Sequence, residues 1–281
     1  MPELTEFDRF YNPRFSVADF PRYAAEWSSA STRARAVLDA YLDVPYDVLQ
    51  SQRMDIFPAR GRSRALLLFI HGGYWRALDK KAFSFVAPAF VSAGVTVAVT
   101  NYSLCPAVTL HDIVRELVQA SAWLYRNGTH FGAPHGPLYV CGHSAGGHLT
   151  AMLHTVRWRD VAPDLPADLI AGGLSISGLF DLHDLLKAPS INSDLRLNEA
   201  SAGELSPALK SPASQGLLHL AVGESETEGF HIQHRLMLES WATAAKPVHC
   251  PGHNHFSILE PLAAPGGELF GAAVSMMGLS G

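Results

Sequence analysis

The chain has 281 residues, a formal net charge of −5, and is 48% hydrophobic and 17% charged. That length suits one large α/β domain or two small ones and is enough to bury a sizeable core. The acidic balance argues against nucleic acid or an anionic membrane as partner, and the three scattered cysteines (Cys105, Cys141, Cys250) lack metal-ligand spacing.

Met1 to Glu6 is acidic and has no apolar core, unlike a signal peptide, and no apolar run approaches membrane-spanning length. A cytoplasmic, reducing location is therefore expected, with Cys141 acting as a small buried hydrophobe. Residues 1–45 are aromatic and polar, with Phe7, Phe10, Tyr11, Phe15, Phe20, Tyr23 and Trp27, and a helix is expected over Ser31–Leu42. Tyr46–Phe57 alternates as a half-buried hairpin would. From Ala65 onward, apolar strands alternate with helices. The strands are Ala65–Ile70, Val95–Thr100, Leu138–Cys141, Leu169–Ile176, Leu217–Val222 and Pro247–Cys250. The helices are Lys80–Ala93, Leu110–Tyr125, Ala145–Arg157, Phe230–Ala244 and Gly267–Met277. Near-continuous apolar strands separated by helices predict a mostly parallel sheet covered on both faces. Residues 181–214 are polar and too long for a plain connection, so they read as an insertion over the carboxyl edge. The reading is one α/β domain over 1–281, with 1–45 and 181–214 forming a small cap.

The chemistry concentrates at Gly142-His143-Ser144-Ala145-Gly146, which follows an apolar strand and opens a helix. G-x-S-x-G in that context is a nucleophile elbow. A serine at the tip of a strained turn needs neighbours without side chains, and the helix beginning there aims N–H groups at the reacting atoms. A serine nucleophile needs a base and an orienting acid, which follow such an elbow in the order acid, then histidine. His253 and His255 both lie after the last predicted strand. His255 is preferred because the adjacent Phe256 and the apolar turn after it can fix its ring. A metal cluster of His249, His253 and His255 is disfavoured, since the spacing matches no helix face or zinc pattern. For the acid, Glu226 stands three residues past the strand-ending Gly223 and is preferred, with Glu224 and Asp181 as competitors. Glu228 reads as a solvated first-turn charge.

His71-Gly72-Gly73-Tyr74-Trp75 ends another buried strand and matches a loop that supplies half of an oxyanion hole. Gly72 and Gly73 are assigned to it, the N–H of Ala145 to the other half, and His71 to holding the loop.

These segments, together with Asn254-His255-Phe256, Tyr11-Asn12-Pro13-Arg14 and Ser177-Gly178-Leu179-Phe180-Asp181-Leu182, resemble the kynurenine formamidase (arylformamidase) family. That family belongs to the α/β-hydrolase fold and is akin to hormone-sensitive-lipase-like esterases. The resemblance implies a Ser/Asp/His triad, no cofactor, and hydrolysis of N-formylated aromatic amines. The family's acid precedes a Ser-x-Glu-Phe run, which falls on Glu226 here. This chain departs from the pattern in carrying glutamate as the acid and Gly229 where a glutamate is usual.

The expectation is a serine hydrolase that cleaves a formyl or acetyl group from an aromatic amine such as N-formylkynurenine or an N-acylanthranilate. Ser144, His255 and Glu226 carry the reaction, and the partner is a small molecule, with no nucleic acid, membrane or metal involved. Tyr74 and Trp75 are expected to shorten the acyl pocket, and Tyr102, Phe180 and Phe256 to wall the amine half. A carboxylesterase with the same triad and a catalytically dead binding module are the alternatives. A homodimer is compatible with the sequence.

Overall fold

The computed structural model describes residues 4–279; Met1–Glu3, where the stretch read as lacking a leader's apolar core begins, and Ser280–Gly281 lie outside the described residues. Helices α1 (Glu6–Tyr11) and α2 (Phe20–Val37) precede strands β1 (Tyr41–Pro45) and β2 (Arg53–Phe57). Then follow β3 (Ala65–Ile70), α3 (Ala87–Ser92), β4 (Val95–Thr100), α4 (Leu110–Asn127), β5 (Leu138–His143), α5 (Ala145–His154) and α6 (Trp158–Val161). The chain continues with β6 (Ile170–Ile176), α7 (Pro189–Leu195), α8 (Glu199–Glu204), β7 (Leu218–Gly223) and α9 (Glu228–Ser240). It closes with β8 (Ala245–Cys250), α10 (Glu260–Ala263) and α11 (Glu268–Met276).

The eight strands form one sheet in the order β1-β2-β4-β3-β5-β6-β7-β8. The β1–β2 and β2–β4 pairs are antiparallel and every other pair is parallel. This is the α/β-hydrolase fold. β3 and β4 are buried along their whole length, as strands covered on both faces must be. Successive side chains of β3 feed different cores. Leu66, Leu68 and Ile70 pack with Ile113, Leu117 and Leu149, while Leu67 and Phe69 pack with Phe90, Leu269 and Ala273. No helix among the described residues is long and apolar enough to cross a membrane.

Three local readings are corrected. The N-terminal helix runs over Phe20–Val37 rather than Ser31–Leu42, with Pro21 in its first turn and a buried stripe at Tyr23, Trp27, Ser31 and Ala34. Tyr41–Pro45 leaves it to become an edge strand, so the hairpin begins upstream of Tyr46. The single helix expected over Lys80–Ala93 is instead two 3₁₀ turns (Lys80–Ala82 and Ser84–Val86) followed by α3. Pro88 explains the break, because proline is tolerated in a helix's first turn and not in its interior.

Residues 181–214 fold as a 3₁₀ turn (His183–Lys187), α7, α8 and a second 3₁₀ turn (Pro207–Leu209). The N-terminal segment is hydrogen-bonded to them. Tyr11 Oη donates to Asp184 at 2.8 Å, and the Ser190 N–H donates to Asp8 Oδ1 at 2.9 Å.

Candidate active site

β5 delivers Ser144 into a turn with φ 57° and ψ −117°, the left-handed region that a residue with a side chain enters only under compensation. The compensation comes from the flanking glycines. A Cβ on Gly142 would lie 2.1 Å from the Gly146 carbonyl oxygen, and one on Gly146 would lie 2.0 Å from the Ile70 oxygen. No other residue type fits at either place. The Ser144 N–H donates to Ile176 O at 2.8 Å, tying the turn to β6.

Ser144 Oγ lies 3.0 Å from His255 Nε2, to which it donates. His255 Nδ1–H donates to Glu226 Oε2 at 2.6 Å. The other carboxylate oxygen of Glu226 accepts from the Gly223 N–H (2.8 Å) and the Ser177 hydroxyl (2.6 Å). The His255 and Glu226 side chains are 3% and 0% exposed, so the chain of hydrogen bonds runs through a largely water-free interior. Phe230 lies against the His255 ring at 4.4 Å, and His143 Nε2 donates to the His255 carbonyl at 2.8 Å. Burial pushes the pKa of His143 well below the usual imidazole range, with the adjacent His255 adding to this. His143 therefore stays a neutral donor that fixes the loop carrying His255.

The competing residues sit elsewhere. His253 Nδ1 lies 3.3 Å from Ser257 Oγ, and Glu224 accepts from the Gly252 N–H. Glu228 pairs with Arg235 in solvent, and Asp181 holds His183 at 2.6 Å. His249 is a side chain of β8, and among the described residues no three His, Cys, Asp or Glu side chains are gathered to hold a metal ion.

The loop after β3 packs on the elbow, and a Cβ on Gly72 would come within 2.9 Å of the His143 oxygen. Gly73 has φ +114°, and Tyr74 and Trp75 follow in the left-handed region at φ 51° and 53°. This rare run turns the strand's end over Ser144. Among the described residues, the N–H groups of Gly73, Tyr74 and Ala145 donate to no protein acceptor. Free donors beside a serine nucleophile can hold a developing oxyanion. His71 braces the loop: its Nδ1 donates to Gly72 O at 2.7 Å, and its ring is stacked between Phe83 (5.6 Å) and Tyr102 (4.4 Å).

Ser144 and His255 open into a pocket of about 90 Å³ lined also by Asn12, Pro13, Arg14, Phe20, Trp27, Gly73, Tyr74, Arg76, Ala77, Leu78, His143 and Phe256. Of the aromatics expected to wall the substrate, Tyr74 and Phe256 are in this lining, and three others are corrected. Trp75 is fully buried, edge-on to His148 at 5.0 Å, because the successive positive φ angles turn it inward. Tyr102 supports the loop from behind, donating its hydroxyl to His71 O at 2.9 Å. Phe180 belongs to the core with Leu218, Leu220 and Trp241. The pocket residues not assigned to it from the sequence are Asn12, Pro13, Arg14, Phe20 and Trp27 of the N-terminal segment, Arg76, Ala77 and Leu78 after the β3 loop, and His143. The aromatic richness of residues 1–45 was the available signal.

A family profile described as BD-FAE matches residues 54–165, which contain both the 71–75 loop and the elbow. The chain is similar to the kynurenine formamidase of Danio rerio, with 29% identity covering 96% of this chain and 93% of the relative. It is also similar to that of Salmo salar, with 27% identity covering 98% and 97%. Among solved structures, a Silicibacter sp. TM1040 protein assigned as a thioesterase superposes with a TM-score of 0.88 at 29% identity, covering 96% of this chain and 99% of the other. An esterase from Pyrobaculum calidifontis superposes with a TM-score of 0.70 at 15% identity, over 92% and 93% of the two chains, and shares the fold.

Proposed function

We propose that the chain is a kynurenine-formamidase-like α/β-hydrolase that removes a formyl or acetyl group from an aromatic amine through an acyl-enzyme on Ser144. The observation carrying this reading is the unbroken contact from Ser144 Oγ through His255 to a fully buried Glu226, opening into one aromatic pocket.

Ser144 Oγ attacks the acyl carbon as its proton passes to His255 Nε2. Glu226 keeps the Nδ1–H tautomer in place and stabilises the imidazolium that forms. The carbonyl oxygen, now an oxyanion, is met by the N–H of Ala145 on one side and those of Gly73 and Tyr74 on the other, with Gly72 allowing the close approach. When the tetrahedral species collapses, His255 hands the proton to the nitrogen of the departing aryl amine. Water then repeats the sequence on the acyl-serine, releasing formate or acetate.

Tyr74 is the side chain placed to limit acyl length, because its hydroxyl is anchored to the Tyr11 carbonyl and its ring is locked over the pocket. The kynurenine formamidase relatives favour an N-formylated substrate such as N-formylkynurenine, and an N-acylanthranilate presents the same aryl amide to Ser144. A carboxylesterase is the second reading, because the same serine, histidine and oxyanion donors can cleave an ester through the same acyl-enzyme. The deciding measurement is kcat/KM on N-formylkynurenine and on N-formyl-, N-acetyl- and longer N-acylanthranilates beside p-nitrophenyl acetate. Turnover of the esters alone would replace the amidase reading.

A further inference from the structure

The pocket above Ser144 has an uneven charge. Its lining contains Arg14 and Arg76 and no aspartate or glutamate, on a chain whose formal net charge is −5. Glu226 lies behind His255 and is committed to it. The only acidic side chain paired with either arginine among the described residues is Asp194, which binds Arg76 at 2.7 Å; the same Arg76 nitrogen also donates to Ser190 O at 2.8 Å. Arg76 is therefore neutralised and held.

Arg14 is different. Among the described residues it pairs with no carboxylate, and its guanidinium lies 4.4 Å over the ring of Phe20, another pocket residue. Stacking uses the face of the guanidinium and leaves its N–H donors at the edge available. Desolvation against the pocket wall lowers the pKa of this otherwise exposed guanidinium, and the charge of Arg76 adds to that. An exposed cation at the pocket that has no carboxylate of its own is complemented when an anion docks against its free edge. The local backbone keeps it there: the Arg14 N–H donates to Asn12 Oδ1 at 3.3 Å, and Pro13 restricts the turn.

We propose that Arg14 is a specificity-determining residue that binds a carboxylate carried by the aromatic amine half of the substrate, so that the pocket selects anionic aryl amides over neutral ones. This rests on the amidase reading of Ser144 given above. A planar fork meeting a carboxylate forms paired charge-assisted hydrogen bonds, enough for a preference of about 10- to 100-fold.

The test separates binding from turnover. Calorimetry on the Ser144→Ala protein compares N-formylanthranilate with its neutral carboxamide, N-formylanthranilamide. The expected result is a Kd ratio of about 10 to 100 in favour of the acid. That ratio should fall to about 3 or less with Arg14→Gln added, and should survive Arg22→Gln, an exposed arginine outside the pocket, used as a control for general charge. Equal Kd values for acid and amide, or a ratio that Arg14→Gln leaves in place, overturns the proposal. Failure of the amidase reading looks different, since the wild-type enzyme would then release no formate from either compound while the binding ratio still reported on Arg14.

Discussion

Replacing Glu226 by glutamine tests the relay from acid to base with almost no change in volume. In the native site one carboxylate oxygen accepts from the Gly223 N–H and the Ser177 hydroxyl, and the other accepts from His255 Nδ1–H at 2.6 Å. A glutamine can keep the first pair only by presenting its carbonyl oxygen to them. Its NH₂ then faces His255 and requires an unprotonated Nδ1. The ring must carry its proton on Nε2, the atom 3.0 Å from Ser144 Oγ, and there it can no longer accept the serine proton. The imidazolium also loses its buried counter-charge. A wrong tautomer at this position costs ~10⁴ in kcat, equivalent to ~5 kcal/mol of transition-state stabilisation. KM should change little, because Glu226 lies behind His255 and does not itself line the pocket. The assay is steady-state formate release from N-formylanthranilate, with circular dichroism to show that the fold is retained. Glu224→Gln and Glu228→Gln should stay near wild type. A folded Glu226→Gln enzyme within ~10-fold of wild type, together with a severe Asp181→Asn, would refute the reasoning.

Ser144→Ala should lose ~10⁴-fold or more in kcat while its midpoint of urea unfolding barely moves, since among the described residues the hydroxyl bonds His255 alone. Gly146→Ala should give little folded protein on expression, because its Cβ would sit 2.0 Å from the Ile70 oxygen and force the elbow apart; a soluble, active variant would show that the elbow yields more than expected. Tyr74→Gly should raise the rate on butyryl relative to acetyl anilides by ~10-fold or more per carbon once excluded, and unchanged selectivity would remove Tyr74 from the acyl pocket. Stability should also depend on pH. His148 and His154 are buried with pKa values lowered to about 4, so the unfolded chain takes up protons between about 6.5 and 4 that the native state refuses. Their contribution is complete above pH 6.5 and is lost as pH falls toward 4. Urea unfolding at pH 7.5, 6 and 5 should show the midpoint dropping, and a flat profile would contradict it.

The alternation of apolar strands with amphipathic helices was enough to read a covered parallel sheet from Ala65 onward, because strands buried on both faces must be apolar throughout and β3 and β4 are. The elbow was legible for a steric reason. Gly142 and Gly146 are required by contacts with backbone, which no side-chain packing can supply. Local sequence stated less about the acid, since Glu224, Glu226 and Glu228 follow the same strand within five residues. Only the fold turns Glu226 beneath His255 while Glu224 faces Gly252 and Glu228 faces Arg235. The aromatics show the same limit. Trp75 and Tyr74 are neighbours in the chain, yet two consecutive left-handed backbone conformations send one into the core and leave the other at the pocket. The pocket's charge was the least visible. Arg14 and Arg76 lie 62 positions apart in sequence, and they meet over Ser144 because the N-terminal segment is pinned by Tyr11 to Asp184 and by Asp8 to Ser190. Such a site is assembled from long-range contacts, which tertiary packing decides and no local pattern encodes.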